Sequence, residues 1–221
     1  MAYSRLRILA ILWLVATLGC KAVTADVKIP DPAVDAPLAT AKGKQTAVIA
    51  GGCFWGIQAV FQHVKGVIKA TSGYAGGDAK TAHYEMVGTG ETGHAESVRI
   101  IYDPSQISYG QLLKVFFSVA HDPTQLNRQG PDRGTQYRSV IFFSDEDQQR
   151  IARAYIDQLN QANVFGQPLV TEVTALKAFY EAEAYHQDYA IHHPNEPYIV
   201  INDLPKVDNL RKQLPGLYVA R

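Results

Sequence analysis

The residues best able to do chemistry gather around one cysteine. In Gly51-Gly52-Cys53-Phe54-Trp55-Gly56 a thiol stands where a β-rich run, Thr46 to Ala50, gives way to Phe54, Ile57, Val60, Phe61 and Val64 at helical spacing. Two glycines permit a tight turn and close approach of a ligand to the backbone. The first turn of a helix carries unpaired N–H groups and partial positive charge, so the Cys53 pKa is expected to fall and its thiolate to serve as a nucleophile. A buried structural cysteine is the competing reading. It leaves the preceding glycine pair and the two following aromatics unexplained.

A cysteine nucleophile fits two chemistries. An acyl hydrolase needs a histidine base and a group to orient it; His94, His121 and His186 are available, none within a hydrolase-like signature. A reductase needs an acid to protonate a departing oxygen and donors to hold it. Glu96 in Gly93-His94-Ala95-Glu96, Tyr84, and Asp132 and Tyr137 in Gly130-Pro131-Asp132-Arg133-Gly134-Thr135-Gln136-Tyr137 could supply them. Taken singly, each has a plainer reading: a solvated carboxylate, a core tyrosine, a loop ion pair of Asp132 with Arg133. Phe54 and Trp55 could be core anchors. His186, His192 and His193 form one short cluster, read as surface histidines rather than a metal site.

The elements that must hold these residues alternate along the chain. Strands are predicted at 46–50, 67–74, 97–102, 139–143 and 171–176. Helices are predicted at 53–64, from a Ser108 cap through Phe117, from a Ser144 cap through Gln161, and at 181–191. Residues 75–93 and 121–134 are glycine-rich loops of the kind that carry function. The order β-α-β, β-α-β, α-β implies parallel neighbours joined by crossover helices. The expected architecture is α+β: a two-layer sandwich with a mixed sheet and helices on one face.

Among 221 residues, 47% are hydrophobic, and Lys+Arg and Asp+Glu number 21 each. That balance argues against a nucleic-acid binder, and the apolar content against disorder. Two cysteines, Cys20 and Cys53, exclude a disulfide-stapled scaffold and any four-thiolate metal site. Residues 1–25 read as an export signal: Arg5 and Arg7, then the uncharged run Ile8–Leu18, too short to span a bilayer, then Val23-Thr24-Ala25 as a cleavage site. Leu18-Gly19-Cys20 offers a lipoprotein alternative with lipid on Cys20, and an uncleaved anchor is a third reading. Residues 26–43, with Pro30, Pro32 and Pro37, read as a flexible linker, 44–205 as the catalytic domain, and 206–221 as an irregular tail.

Together GGCFWG, GHAE and DRGTQYRS resemble the peptide methionine sulfoxide reductase A family, in order and spacing, over roughly 47–197. Reversal of methionine sulfoxide by such enzymes is established chemistry. The resemblance implies a ferredoxin-like sandwich and a set of roles. Cys53 would attack the sulfoxide sulfur and Glu96 protonate the oxygen, while Tyr84 and Tyr137 hydrogen-bond it. Phe54 and Trp55 would receive the substrate methyl, and Asp132 help position the substrate. A partly desolvated glutamate would have the raised pKa that acid needs. The S epimer is the implied substrate, in oxidised proteins and as the free amino acid, in the service of protein repair.

Many members of that family carry later cysteines that resolve the sulfenic acid; here none follows Cys53. The expectation is a single-cysteine mechanism, with no bound cofactor or metal and an external reductant: a thioredoxin-like or glutaredoxin-like protein or a small thiol. The enzyme is expected to be a monomer that does not bind nucleic acid, and to be exported, either periplasmic or held at the membrane through an N-terminal lipid. An exported module that binds oxidised peptides without turnover is the alternative outside catalysis.

Overall fold

The computed structural model describes residues 29–221; the segment read as an export signal and Cys20 lie outside the described residues. In chain order the elements are β1 (Gln45–Gly51), α1 (Phe54–Gln62), β2 (Val67–Ala75), α2 (Tyr84–Val87), β3 (Ala95–Tyr102), α3 (Tyr109–Val115), β4 (Arg128–Gln129), β5 (Asp132–Arg133), β6 (Ser139–Phe143), α4 (Glu146–Gln161), β7 (Glu172–Ala175), β8 (Phe179–Glu181), α5 (Tyr189–His192) and α6 (Leu204–Gln213). Six strands form one sheet in the order β7-β6-β1-β3-β2-β8; β4 and β5 form a small separate ribbon.

The sheet is mixed, but its pairing differs from the expected run of parallel neighbours. β3 inserts between β1 and β2 and runs antiparallel to both, β6 runs antiparallel to β1, and β8 to β2; only β6 and β7 pair in parallel. The chain after β2 turns back through the long loop 76–94 instead of crossing over, which splits the first βαβ unit. The central order β6-β1-β3-β2 is that of the ferredoxin-like sandwich.

Strand periodicity settles which residues face the helices. Ala47 and Ile49 of β1, Val98 and Ile100 of β3 and Ile141 of β6 join Ile57, Val60 and Phe61 of α1 and Ile151, Ala152 and Tyr155 of α4 in the main core. Their alternates Val48, Ala50, Val140 and Phe142 form a smaller cluster on the opposite face with Ala75 and Ala95. Glu96 shares the parity of Val98 and Ile100, so β3 delivers a carboxyl to the helix-covered face, where it is 3% exposed.

Several local expectations change. Ser108 caps α3 in a reciprocal box with Gln111, as the sequence suggested, but α4 is capped by Asp145, whose side chain accepts from Gln148 N, rather than by Ser144. The helix expected at 181–191 is instead the end of β8, a 3₁₀ turn at Ala184–His186 and α5. Asp188 breaks it at φ 56°, and the Gln187 side chain pairs with Ser72 of β2 like a strand backbone. The tail expected to be irregular contains α6, because Pro205 falls in the first helical turn, where a missing N–H costs nothing. The linker also differs. From Ile29, itself buried, it lacks regular structure yet lies docked. Tyr155 OH donates to Pro30 O at 2.7 Å, Ala33 N donates to Gln158 Oε1 at 2.8 Å, and the Asp35 carboxylate accepts from Ser108 Oγ and Gly110 N at the start of α3.

Candidate active site

β1 ends at Gly51 and the chain turns through Gly52, at φ 103°, into Cys53, the N-cap of α1. A side chain at Gly52 would meet Gln129 Cγ at 2.5 Å, so glycine is required for both conformation and space. Glu96 Oε2 accepts from the N–H of Phe54 at 3.1 Å, which fixes the carboxyl beside the peptide that follows the cysteine. Burial pushes the Glu96 carboxyl up to about 8; the Phe54 N–H opposes this, and the carboxylates of Asp132 and Asp203 add to it. The proton is therefore held at neutral pH by a group whose ordinary value lies near 4.5.

Cys53 itself corrects the expectation from helix position. Its thiol is buried, and burial raises its pKa well above the ordinary value, with the carboxylates of Glu96 and Asp203 acting in the same direction. The Trp55 N–H and the Lys206 ammonium pull the other way and are outweighed. Desolvation of a side chain under the sheet exceeds what one helix terminus returns.

The remaining expected residues surround this pair. Trp55 stacks on Tyr189 with ring centroids 3.7 Å apart and meets the Tyr198 ring edge-on at 5.9 Å. Phe54 lies deeper, 1% exposed, against Tyr74 and His186. Tyr84 sits at the rim, its ring 4.4 Å from His186 and its N–H on Glu183 Oε1. Burial raises the Tyr84 and Tyr137 phenols, and both feel the charges of Glu96 and Cys53. Asp132 accepts from Tyr198 OH at 2.5 Å. All seven residues singled out from the sequence thus converge on the start of α1.

Others were not legible. His186 is 1% exposed rather than a surface histidine; Trp55 Nε1 donates to its Nδ1 at 3.1 Å. Tyr198 and Asp203, just ahead of α6, and Lys206, within the segment read as an irregular tail, also reach the site. That segment's apolar residues Val207 and Leu210, three apart with Leu214 beyond, were the overlooked signal. The hydrolase alternative loses its base. His121 is bound by Phe116 O and Ser139 Oγ and pushed down to about 4 by burial. His94 is occupied by Gly77 N and Asp78 O; His186 accepts the Trp55 N–H on Nδ1, so the neutral ring carries its proton on Nε2, which is buried without a hydrogen-bond partner, and cannot take one from Cys53. Among the described residues no group of three or more His, Cys, Asp or Glu could hold a metal ion.

A nucleophilic thiol, a carboxyl that keeps its proton at neutral pH and an aromatic surround, set on a ferredoxin-like sandwich, define a thiol-dependent oxidoreductase. A family model described as peptide methionine sulfoxide reductase matches residues 45–216. The chain belongs to the peptide methionine sulfoxide reductase family. The peptide methionine sulfoxide reductase MsrA 2 of Mesorhizobium japonicum is 62% identical over 178 residues, 80% of this chain and 91% of the relative. The MsrA 2 of Synechocystis sp. is 54% identical over 187 residues, 84% of this chain and 87% of the relative. Among solved structures, reduced Mxr1 from Saccharomyces cerevisiae aligns with TM-score 0.62 at 31% identity, covering 73% of this chain and 91% of that one. Methionine sulfoxide reductase A of Corynebacterium diphtheriae aligns with TM-score 0.61 at 35% identity, covering 69% and 76%. The family match runs to residue 216 and so includes α6.

Proposed function

We propose that this enzyme repairs oxidised proteins by reducing the S epimer of methionine sulfoxide, and free methionine S-sulfoxide, through Cys53. The Cys53 sulfur attacks the sulfoxide sulfur as Glu96 gives its proton to the oxygen. The hydroxyl so formed passes from the methionine sulfur to the Cys53 sulfur as the bond between the two sulfurs breaks, its electron pair leaving with methionine, and Cys53 is left as sulfenic acid. An external thiol then attacks that sulfur, releasing water and leaving a mixed disulfide; a second thiol frees Cys53 and carries away the disulfide. Tyr84 and Tyr137 hold the oxygen, Trp55 and Phe54 wall the methyl, and Asp132, steadied by Tyr198, orients the substrate.

The observation that carries this reading is the buried Glu96 carboxyl, tied to Phe54 N at 3.1 Å and pushed up to about 8. A general acid needs its proton present at working pH and within reach of the leaving oxygen. The reductant is a thiol of the thioredoxin-like, glutaredoxin-like or small-molecule kind, since no cysteine follows Cys53 in these residues. The Arg5–Arg7 and Ile8–Leu18 pattern supports export, with the protein periplasmic or lipid-anchored at Cys20. Mass spectrometry of a peptide carrying resolved sulfoxide epimers, incubated with the enzyme and dithiothreitol, tests the reaction. The S peptide should lose one oxygen and the R peptide keep it; loss from both, or from neither, overturns the assignment.

A further inference from the structure

One buried ion pair lies against the helix that presents the nucleophile. Asp203, 0% exposed, binds Lys206 Nζ through Oδ1 at 3.0 Å, while its Oδ2 is buried without a hydrogen-bond partner. The pair occupies the space left by Gly56. A Cβ there would stand 2.1 Å from Asp203 Oδ1 and 2.7 Å from Lys206 Nζ. Gly56 follows Cys53 by three residues, so the two share one face of α1, a separation of about 5–6 Å between Cβ positions. The missing side chain at Gly56 therefore opens a slot that brings an ammonium group within one turn of the thiol. An isolated buried carboxylate is costly, and a buried pair next to a nucleophile is a common device for setting its charge state.

We propose that Lys206 is the cation that stabilises the Cys53 thiolate during attack, and that Asp203 is a positioning residue that docks Lys206 into the Gly56 slot. The proposal deepens the reductase reading, which makes Cys53 the nucleophile. The groups whose charges bear on Cys53 are Glu96 from β3, Tyr84 from α2, Tyr137 from the turn before β6, and Tyr189, Tyr198 and Asp203 from the carboxyl-terminal segment. Among the described residues Lys206 is the one cation that bears on the thiol; His121 is held neutral at physiological pH by its own burial. With so many acids around it, the thiol depends on that single positive charge, and the raised Cys53 pKa would rise further without it.

The test is the pH dependence of Cys53 alkylation by iodoacetamide in the full-length protein, which needs no sulfoxide turnover and so stands or falls apart from the reductase assignment. Lys206→Met should move the alkylation midpoint up by about one to two pH units, the scale of a unit charge at this range in a protein, slowing alkylation roughly tenfold or more below the midpoint. Asp203→Asn, nearly isosteric, removes an opposing negative charge but also the anchor of Lys206, so it should lower the midpoint clearly in the Lys206→Met background and less, or not at all, where Lys206 is present. Lys206→Gln, which can still donate to Asp203, carries the same expectation as Lys206→Met and replaces it should that variant fail to fold. Single-turnover reduction should fall in the Lys206 variants mainly in its rate rather than in peptide affinity. An upward shift in the Lys206 variants, together with a smaller downward effect of Asp203→Asn where Lys206 is present than where it is absent, supports the proposal. Folded Lys206 variants with an unmoved midpoint, or an Asp203→Asn effect that is the same with and without Lys206, overturn it, because mere loosening of α6 would not depend on the charge at position 206.

Discussion

Glu96 faces two demands that pull apart with pH. Its folded value near 8 lies above the ordinary carboxyl value, so the folded state binds this proton more tightly than the unfolded chain does. The stability that goes with the proton is fully present below about pH 4.5 and is lost as pH rises through 8. Glu96→Gln keeps an acceptor for Phe54 N and never ionises. It should therefore melt above the wild type at pH 8.5 and show no such gain at pH 4.5, in thermal scans followed by circular dichroism. The same change should slow sulfenic acid formation by on the order of a hundredfold to ten-thousandfold, with peptide affinity nearly intact. In the wild type the rate should rise with pH up to about 8 as the thiolate forms, and level off above it as the acid form of Glu96 is lost in step. Cys53→Ser should remain folded and inactive, and a folded serine variant that still reduces the S peptide would remove the thiol from the mechanism. Cys53, Glu96, Asp132 and Tyr137 were legible as candidates because each lies within a short motif, and Tyr84 only through the family resemblance of the loop that carries it. The direction of the Cys53 shift was not, since it depends on burial beneath residues remote in the sequence.

Elements were legible where local signals agree with packing. The limits of β6 and the capping of α3 follow directly from Ser139–Phe143 and from Ser108 with Gln111. They were lost where tertiary contacts override local pattern. Gln187 replaces a strand partner for β2, and a proline in the first turn of α6 reads on paper as a stop. Strand neighbours were misjudged because the alternation of strands and helices fixes direction but not insertion, and β3 enters between the two strands that α1 joins. At this scale Gly56 is the sensitive joint between α1 and α6. Gly56→Ala should cost about 1–3 kcal/mol, the range for forcing atoms into a filled space, and should appear as a lower urea midpoint. Ser108→Ala should cost about 1 kcal/mol through the lost cap and more than the cap alone, since Asp35 loses a partner with it. Asp35→Asn in both backgrounds would separate the two contributions.

For the molecule as a whole, the segment before β1 is part of the folded body. A chain starting at residue 44 gives up the buried Ile29 and the hydrogen bonds of Pro30, Ala33 and Asp35 to α3 and α4. Set against the entropy of ordering the segment, the loss should be about 2–4 kcal/mol. Calorimetry should show a lower melting temperature, while the turnover number per folded molecule stays unchanged. The docking also alters the geometry of an anchored enzyme. Were Cys20 to carry lipid, the chain between lipid and folded body would be counted from Cys20 to Ile29 rather than to the start of the sheet. At about 3.3–3.6 Å per residue its reach would be about 30 Å instead of about 80 Å. Such an enzyme would work a thin shell at the membrane surface and spare from oxidative damage chiefly those proteins that come within that distance.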